Sequence, residues 1–334
     1  MRKWIVGAVA LVALAVLVVV AAQVASGFRP ARPVGFQLIG VADPRGPALP
    51  VAIWYPTDAT TRPSLLGLAV QFVARDAAAA GTHLPLVVIS HGSGGGPGSH
   101  VDTALALAAA GFVVAAPMHT GDNYADQSAV GTGRWLPDRS RHVPLVIDHL
   151  LQKWPERARI DGGRIGVFGF SAGGFTALTT IGGAPDLTVL REHCRRAPEF
   201  ACQLWIPADD QLATEFAHDA RVKAAVVAAP GYGFAFTKAA LAGVTVPVQL
   251  WSGAEDQSVP TRTNADVVRA GLARAPELHV VPGAQHFSFL TPCGWIGPPL
   301  LCRDGAGFDR RAFHETLDRE IVRFFETQFG SRAS

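Results

Sequence analysis

Short apolar runs alternate with longer amphipathic or small-residue stretches along most of the chain. The short runs are rich in β-branched residues and end near Gly, Pro or Ser, a pattern typical of buried strands. We predict strands near residues 50–55, 84–90, 112–116, 164–170, 223–229, 246–251 and 278–281. We predict helices near residues 99–110, 142–153, 172–182, 262–274 and 309–328. This alternation indicates an α/β fold, with a mostly parallel sheet covered by helices on both faces.

The N-terminal segment departs from this pattern. Arg2 and Lys3 precede nineteen residues, 4–22, that include no charged or strongly polar side chain. A positive start followed by an apolar run is typical of an export signal, and Val24-Ala25-Ser26 is a suitable small-residue cleavage site. The apolar run is also just long enough to span a bilayer. We therefore predict that residues 1–26 are a cleaved signal peptide of an exported protein, with an uncleaved membrane anchor as the alternative.

Charge and cysteine content narrow the class of the remaining domain, residues 27–334. Two of the 29 basic residues precede it, so 27 basic residues balance 27 acidic ones and no nucleic-acid partner is expected. Four cysteines allow three pairings, and proximity in the sequence favours the disulfides Cys194–Cys202 and Cys293–Cys302, in agreement with export. A zinc site built from these thiols and a neighbouring histidine is disfavoured because the ligand spacing is wrong.

The most informative motif is Gly169-Phe170-Ser171-Ala172-Gly173, which stands between a predicted strand and a predicted helix. Its glycines permit a sharp turn that would raise the Ser171 hydroxyl above the sheet, at the N-terminus of the helix. A nucleophilic serine is expected in that position, and the N–H of Ala172 would help to stabilise an oxyanion. The alternative is an ordinary glycine-rich turn.

A second glycine-rich loop, His91-Gly92-Ser93-Gly94-Gly95-Gly96, follows the predicted strand 84–90. Glycines let a backbone approach a substrate carbonyl, so this loop is suited to supply another oxyanion amide. It lacks the Lys-Ser/Thr of a phosphate-binding loop and the third glycine of a dinucleotide fingerprint. We therefore expect no nucleotide cofactor at this loop.

Two residues complete a candidate triad with Ser171. Asp256 follows a predicted strand, where a carboxylate would orient a histidine, and Glu255 is the alternative acid. His286 follows the last predicted strand and is the candidate general base. The chain order Ser, Asp, His is that of α/β-hydrolases and differs from the orders in chymotrypsin and subtilisin.

Two other histidines are candidates for substrate contact. His91 begins the second glycine-rich loop and is expected to shape it rather than to act as a base. His119 follows the predicted strand 112–116 at the same edge of the sheet, and a structural role together with Asp122 is an equal alternative.

Six segments also match the pattern of a known family. They are Val51-Ala52-Ile53-Trp54-Tyr55-Pro56-Thr57, Ser90-His91-Gly92-Ser93-Gly94-Gly95, Ala109-Ala110-Gly111-Phe112-Val113-Val114, Gly169-Phe170-Ser171-Ala172-Gly173-Gly174, His286-Phe287-Ser288-Phe289-Leu290 and Phe324-Phe325. Together they resemble bacterial α/β-hydrolases related to platelet-activating-factor acetylhydrolase and often labelled predicted dienelactone hydrolases. The resemblance covers nearly all of residues 27–334. It implies an α/β-hydrolase fold, with Ser93 and Ala172 supplying the oxyanion amides.

The candidate triad predicts a serine hydrolase of carboxylic esters that requires neither metal nor organic cofactor, and the resemblance implies a preference for short acyl or acetyl esters. True dienelactone hydrolases have a cysteine nucleophile where this chain has Ser171, so that label implies kinship of fold and not of substrate. Lipase-like, phospholipase-like or amide hydrolysis on the same triad, and ligand binding without turnover, are the alternatives. A small-molecule or lipid ester is the expected partner, and membrane contact is expected only through an uncleaved N-terminal segment.

Residues 183–219 show little strand pattern and follow the predicted nucleophile helix, where cap insertions occur in this fold. We predict that they form a lid or pocket wall, in which a Cys194–Cys202 disulfide limits mobility. Phe200, Leu204 and Trp205 would supply apolar contacts. A surface excursion remote from the site is the alternative.

Overall fold

A computed structural model describes residues 2–204 and 215–330, apart from the side chains of residues 2, 3 and 5–10. The strands in these ranges are β1 Val34–Val41, β2 Leu49–Pro56, β3 Arg62–Leu66, β4 Ala69–Arg75, β5 Leu84–Ser90, β6 Val113–Pro117, β7 Ile160–Phe170, β8 Val222–Ala228, β9 Val248–Gly253 and β10 Glu277–Val281. The α-helices are α1 Arg2–Ala25, α2 Val101–Ala109, α3 Trp135–Gln152, α4 Ala172–Thr180, α5 Leu187–Arg196, α6 Phe200–Leu204, α7 Ala265–Gly271, α8 Pro299–Cys302 and α9 Arg310–Phe329. Short 3₁₀ helices occur at Pro97–His100, Arg157–Arg159, Gly233–Ala235 and His286–Phe289.

The strands form one sheet in the order β10-β9-β8-β7-β5-β6-β2-β1-β4-β3. From β10 to β6 every neighbouring pair is parallel, whereas β2 runs antiparallel to both β6 and β1. All seven predicted strands are present, which confirms the expected mostly parallel sheet. The sequence did not predict β1, β3 and β4, which extend one edge of the sheet. β3 is exposed or half-buried along its length and includes Pro63, so it lacks the continuous apolar run of a buried strand.

Helices cover both faces of the sheet, as predicted. Successive side chains of a strand point to opposite faces, so β5 contributes to two hydrophobic cores. Leu86 and Val88 pack into the core shared with α3 and α4, and Val87 and Ile89 pack into the core shared with α2 and α9. This arrangement buries the parallel strands on both faces, with their carboxyl ends along one edge.

The helix α3 begins earlier than the predicted stretch 142–153, at Trp135. Pro137 lies in its first turn, where a backbone N–H has no partner inside the helix and proline is tolerated. The early start has a functional consequence, because it brings Trp135 and Arg139 beneath the glycine-rich loop that follows β5.

The described residues include no helix that is both long enough and apolar enough to cross a membrane. Residues 5–10 of the predicted signal or anchor lie outside the described side chains, and the interpretation of residues 1–26 stays a prediction. Both predicted disulfides, Cys194–Cys202 and Cys293–Cys302, are present. Two disulfides are typical of an oxidising environment outside the cytosol.

Candidate active site

Ser171 occupies a strained turn between β7 and α4, with φ 55° and ψ −120°. The backbone holds this conformation from several sides, because the Ser171 N–H donates to the carbonyl of Ala228 and the Ser171 carbonyl accepts from the N–H groups of Gly174 and Gly231. A Cβ on Gly173 would lie 1.9 Å from the carbonyl oxygen of Ser90, so only glycine lets α4 pack this closely against β5. Such strain typically costs about 1–3 kcal/mol and persists where the surrounding structure enforces it.

His286 and Asp256 converge on this serine. The Ser171 Oγ lies 3.0 Å from His286 Nε2, and His286 Nδ1 lies 2.7 Å from Asp256 Oδ2. The other carboxylate oxygen of Asp256 accepts from the N–H groups of Ser258 and Val259, at 2.9 and 2.7 Å, which holds the side chain in place. Glu255, the alternative acid of the sequence analysis, is exposed. The structure thus brings together the three residues of the candidate triad.

The turn that carries His286 is held by a second set of contacts. The Ser288 hydroxyl donates to Asp304 at 2.7 Å and accepts from the N–H of Gln285 at 3.0 Å. His314 Nε2 lies 2.8 Å from the Ser288 carbonyl oxygen, and His314 Nδ1 lies 2.5 Å from Asp102. Burial lowers the pKa of His314, but the charge and hydrogen bond of Asp102 outweigh burial and raise the pKa above its ordinary value.

The two expected oxyanion residues line a cavity beside the triad. Ser93 lies in the loop after β5 and Ala172 begins the helix after β7, and β5 and β7 are neighbouring parallel strands. In the described part of the chain, neither N–H donates a hydrogen bond to another backbone carbonyl or to a side chain. Gly94 has φ +67°, a left-handed conformation that favours glycine and turns the loop after Ser93.

A buried network lies behind this loop, centred on Asp122, which was expected only as a structural partner of His119. Asp122 accepts hydrogen bonds from Ser93, Gly94, Trp135 and Arg139. Burial would raise the pKa of the Asp122 carboxyl, but the charge of Arg139 and these hydrogen bonds outweigh burial and hold the pKa below its ordinary value. A charged residue inside an amphipathic helix ordinarily predicts a solvent-facing side chain, so the burial of Arg139 gave no signal in the sequence.

His91 and His119, the candidates for substrate contact, are buried and are not among the described residues that line the cavity. His119 Nε2 lies 2.9 Å from the Ser90 hydroxyl, and its Nδ1 lies 3.0 Å from the Nδ1 of His142. His91 Nε2 accepts from the N–H of His119. Burial, with a further contribution from the charge of Arg139, lowers the pKa of His91 to about 3 and that of His119 well below its ordinary value. The structure therefore gives both rings interior positions behind the loop.

The cavity beside the triad has a volume of about 300 Å³, which is in the range of small-molecule sites. Among the described residues, no Asp, Glu, Lys or Arg side chain lines it. Its walls are largely apolar and include Phe170, Phe200, Leu204, Val259, Phe287, Leu290 and Leu301.

Part of the wall comes from α6, inside the predicted cap. Phe200, Ala201 and Leu204 face the cavity, and the Tyr232 hydroxyl donates to the Ala201 carbonyl at 2.7 Å. The disulfide Cys194–Cys202 ties α6 to α5. Trp205, named with the predicted apolar contacts, lies outside the described residues.

A larger groove of about 800 Å³ runs along α2 and α9. Its described lining includes acidic, basic and apolar side chains but none of Ser171, Asp256 and His286, so the smaller cavity is the candidate site. Asp102, His314 and Asp318 at its edge place potential metal-ligand atoms within 4.8 Å of one another. Both ring nitrogens of His314 already have protein partners, which explains this cluster as a buried ion pair.

Comparisons with known proteins support the architecture. No protein-family model and no curated protein sequence matches the chain. Solved structures do match, among them a ferulic acid esterase from Streptomyces cinnamoneus, with a TM-score of 0.65 and 22% sequence identity over 92% of this chain and 95% of that chain. At this identity the likeness establishes the fold alone. The chain has the α/β-hydrolase fold.

Proposed function

We propose that this protein is a serine hydrolase that cleaves carboxylic esters through an acyl-enzyme. The observation that carries the proposal is the hydrogen-bonded series from Ser171 to His286 to Asp256, on a strained turn that opens into an apolar cavity. An ordinary glycine-rich turn would not require a serine aligned with a histidine and a carboxylate. The esterase activity named for the Streptomyces cinnamoneus structure agrees with this reaction class.

The proposed reaction has two steps. His286 Nε2 takes the proton of Ser171 as the Oγ attacks the ester carbonyl, and Asp256 stabilises the imidazolium through Nδ1. The N–H groups of Ser93 and Ala172 stabilise the oxyanion, and His286 then donates its proton to the leaving alcohol. Water, activated by the same imidazole, releases the carboxylic acid from Ser171.

The cavity favours a small, uncharged acyl group. A charged acyl chain would lose its hydration without finding an opposite charge, because the described lining includes no charged side chain. Short acyl chains are also favoured by the resemblance to acetylhydrolases, which rests on the sequence segments alone. The name of the structural neighbour adds ferulic acid esters as a second kind of substrate to test.

The test is hydrolysis of p-nitrophenyl esters from C2 to C16, and of methyl ferulate, by the purified protein and its Ser171→Ala variant. We expect activity to be highest at C2–C4 and to fall by roughly 10³-fold or more in Ser171→Ala. Labelling by a fluorophosphonate should modify Ser171 in the wild type.

Several outcomes would contradict the proposal. Hydrolysis that Ser171→Ala leaves unchanged would remove the assigned nucleophile. Faster cleavage of p-nitroanilides than of the matched esters would favour an amide hydrolase, and a maximum at long chains would favour a lipase. Folded protein that neither turns over any ester nor reacts with the fluorophosphonate would favour ligand binding without catalysis.

A further inference from the structure

The side chain of Asp122 links the oxyanion loop to the interior of the protein. One carboxylate oxygen accepts from the Ser93 hydroxyl at 2.7 Å and from the N–H of Gly94 at 2.8 Å. The other oxygen accepts from Trp135 Nε1 at 2.5 Å and from Arg139 Nη1 at 2.6 Å. Two hydrogen bonds to one oxygen therefore hold consecutive residues of the loop in a set orientation.

Arg139 contacts the segments that carry both expected oxyanion amides. Its Nη2 donates a hydrogen bond to the His91 carbonyl, at the start of the loop. Its Nε lies 3.3 Å from the hydroxyl of Thr176, and that hydroxyl donates to the Ala172 carbonyl at 3.0 Å. One buried ion pair thus contacts the loop that includes Ser93 and the helix that begins with Ala172.

A stabilising role alone does not account for this pair. Both side chains are 1% exposed, so both charges have lost their hydration. A buried ion pair often stabilises a protein no better than apolar residues of the same volume would, because desolvation offsets the attraction between the charges. What the pair does supply is directional hydrogen bonding at three points of one glycine-rich loop.

We propose that Asp122 and Arg139 are positioning residues that set the geometry of the oxyanion hole. This inference rests on the ester hydrolysis proposed above. The pair holds the loop at His91 on one side of the Ser93 N–H and at the Ser93 hydroxyl and Gly94 N–H on the other. The Ser93 N–H lies between these anchors, and Ser93 lines the cavity. A displacement of about 1 Å at such a donor can cost about 10²-fold in rate.

Asp122→Asn tests the inference directly. The asparagine keeps the size of the side chain, but its NH₂ group cannot accept a hydrogen bond. The NH₂ group must face either the donors Trp135 and Arg139 or the donor Gly94, so the hydrogen bonds on that side are lost. We expect kcat per active site to fall by about 10- to 100-fold while KM changes by less than about threefold, because the oxyanion develops during the reaction and is absent from the bound ester. Affinity for a trifluoromethyl ketone, which forms an oxyanion on Ser171, should fall by the same factor as kcat/KM.

Asp43→Asn is the matched control. Asp43 is also 1% exposed and pairs with an arginine of α3, Arg141, at 2.5 Å, but it does not contact the loop. We expect this variant to lose stability as Asp122→Asn does and to keep its kcat per site within about twofold. Titration with a fluorophosphonate counts the folded active sites in each sample, so a loss of folded protein is separated from a loss of rate.

A second variant decides the question if Asp122→Asn does not fold. Ser93→Ala removes one hydrogen bond to Asp122 and keeps the backbone N–H, and we expect kcat per site to fall by about three- to tenfold. Unchanged kcat per site in Ser93→Ala, or in folded Asp122→Asn, would overturn the positioning role. Wild-type protein that hydrolyses no ester and leaves Ser171 unlabelled would instead overturn the proposed function.

Discussion

Four buried histidines make the fold sensitive to acid. Burial lowers the pKa of His91 and His100 to about 3 and that of His142 to about 4, and it holds the pKa of His119 well below its ordinary value. The rings of His91, His100 and His142 are therefore mostly neutral in the folded protein near pH 5. In the unfolded chain the same side chains take up protons near pH 6.5.

The direction in which stability changes with pH follows from proton uptake. Below pH 6.5 the unfolded chain binds protons that the folded protein does not, so the free energy of unfolding falls as the pH falls toward the folded-state pKa values. At pH 5 His100, with a folded-state pKa of about 3, costs about 2 kcal/mol of stability relative to pH 8, and the other three histidines act in the same direction. Total stabilities are typically about 5–15 kcal/mol. The raised pKa values of His314 and Asp318 act in the opposite direction and recover part of this loss.

A substitution at His100 isolates one contribution. His100 is buried against Phe168 and Phe170, so His100→Leu replaces the ring with an apolar side chain of similar size. Asp102 and His314, which act on His100 electrostatically, are present in the wild type and in the variant. Their own contributions to the pH dependence of stability therefore largely cancel in the comparison. When the pH is lowered from 8 to 5, we expect the free energy of unfolding of the variant to rise by about 2 kcal/mol relative to that of the wild type.

Urea unfolding at pH 8 and pH 5 measures this difference. His218→Leu is the control, because His218 is exposed and its hydration changes little on unfolding. The reasoning would be refuted if the stability difference between His100→Leu and the wild type were the same at both pH values. That result would mean that His100 binds its proton as readily in the folded protein as in the unfolded chain.

Three further predictions concern the site. Cys194→Ser/Cys202→Ser should lose about 2.5 kcal/mol of stability, because the disulfide no longer restricts the unfolded chain. Since α6 is part of the cavity wall, the variant should also raise KM for C4 esters more than for C2 esters. Urea unfolding and ester kinetics test these effects, and unchanged KM values would speak against the second. The kcat/KM for p-nitrophenyl succinate should be at least about tenfold lower than that for p-nitrophenyl butyrate, since no charged side chain of the described lining would pair with the succinate carboxylate. Equal kcat/KM values would contradict this. Gly173→Ala should abolish turnover and lower the melting temperature, because the Cβ of the alanine would lie 1.9 Å from the Ser90 carbonyl oxygen. A variant that is fully active and as stable as the wild type would be inconsistent with the turn that carries Ser171.

Much of the candidate site could be predicted because it depends on local pattern. Ser171 directly follows the buried strand β7, and Asp256 comes three residues after the buried strand β9. Parallel strands place their carboxyl ends at one edge, so residues that follow different strands are brought together even where 115 positions separate Ser171 from His286. The disulfides Cys194–Cys202 and Cys293–Cys302 were predictable for a related reason, since eight and nine positions separate the partners.

Other features depend on the path of the whole chain. The sequence alone left Glu255 open as the acid, and only the turn after β9 decides that Asp256 faces His286. His91 and His119 follow strands at the active edge, yet both rings turn into the interior, where hydrogen bonds satisfy their nitrogens.

By itself, the sequence determined the mostly parallel sheet, the glycine-rich turns at its active edge, the disulfide partners and the order of the candidate triad. These features follow from the periodicity of side chains and from backbone freedom at glycine, which act over a few residues. Only the tertiary structure decided that Arg139 is buried beside Asp122 and that α6 forms part of the cavity wall. A buried charge is tolerated only where distant segments supply partners for it, and no local pattern specifies where those segments meet.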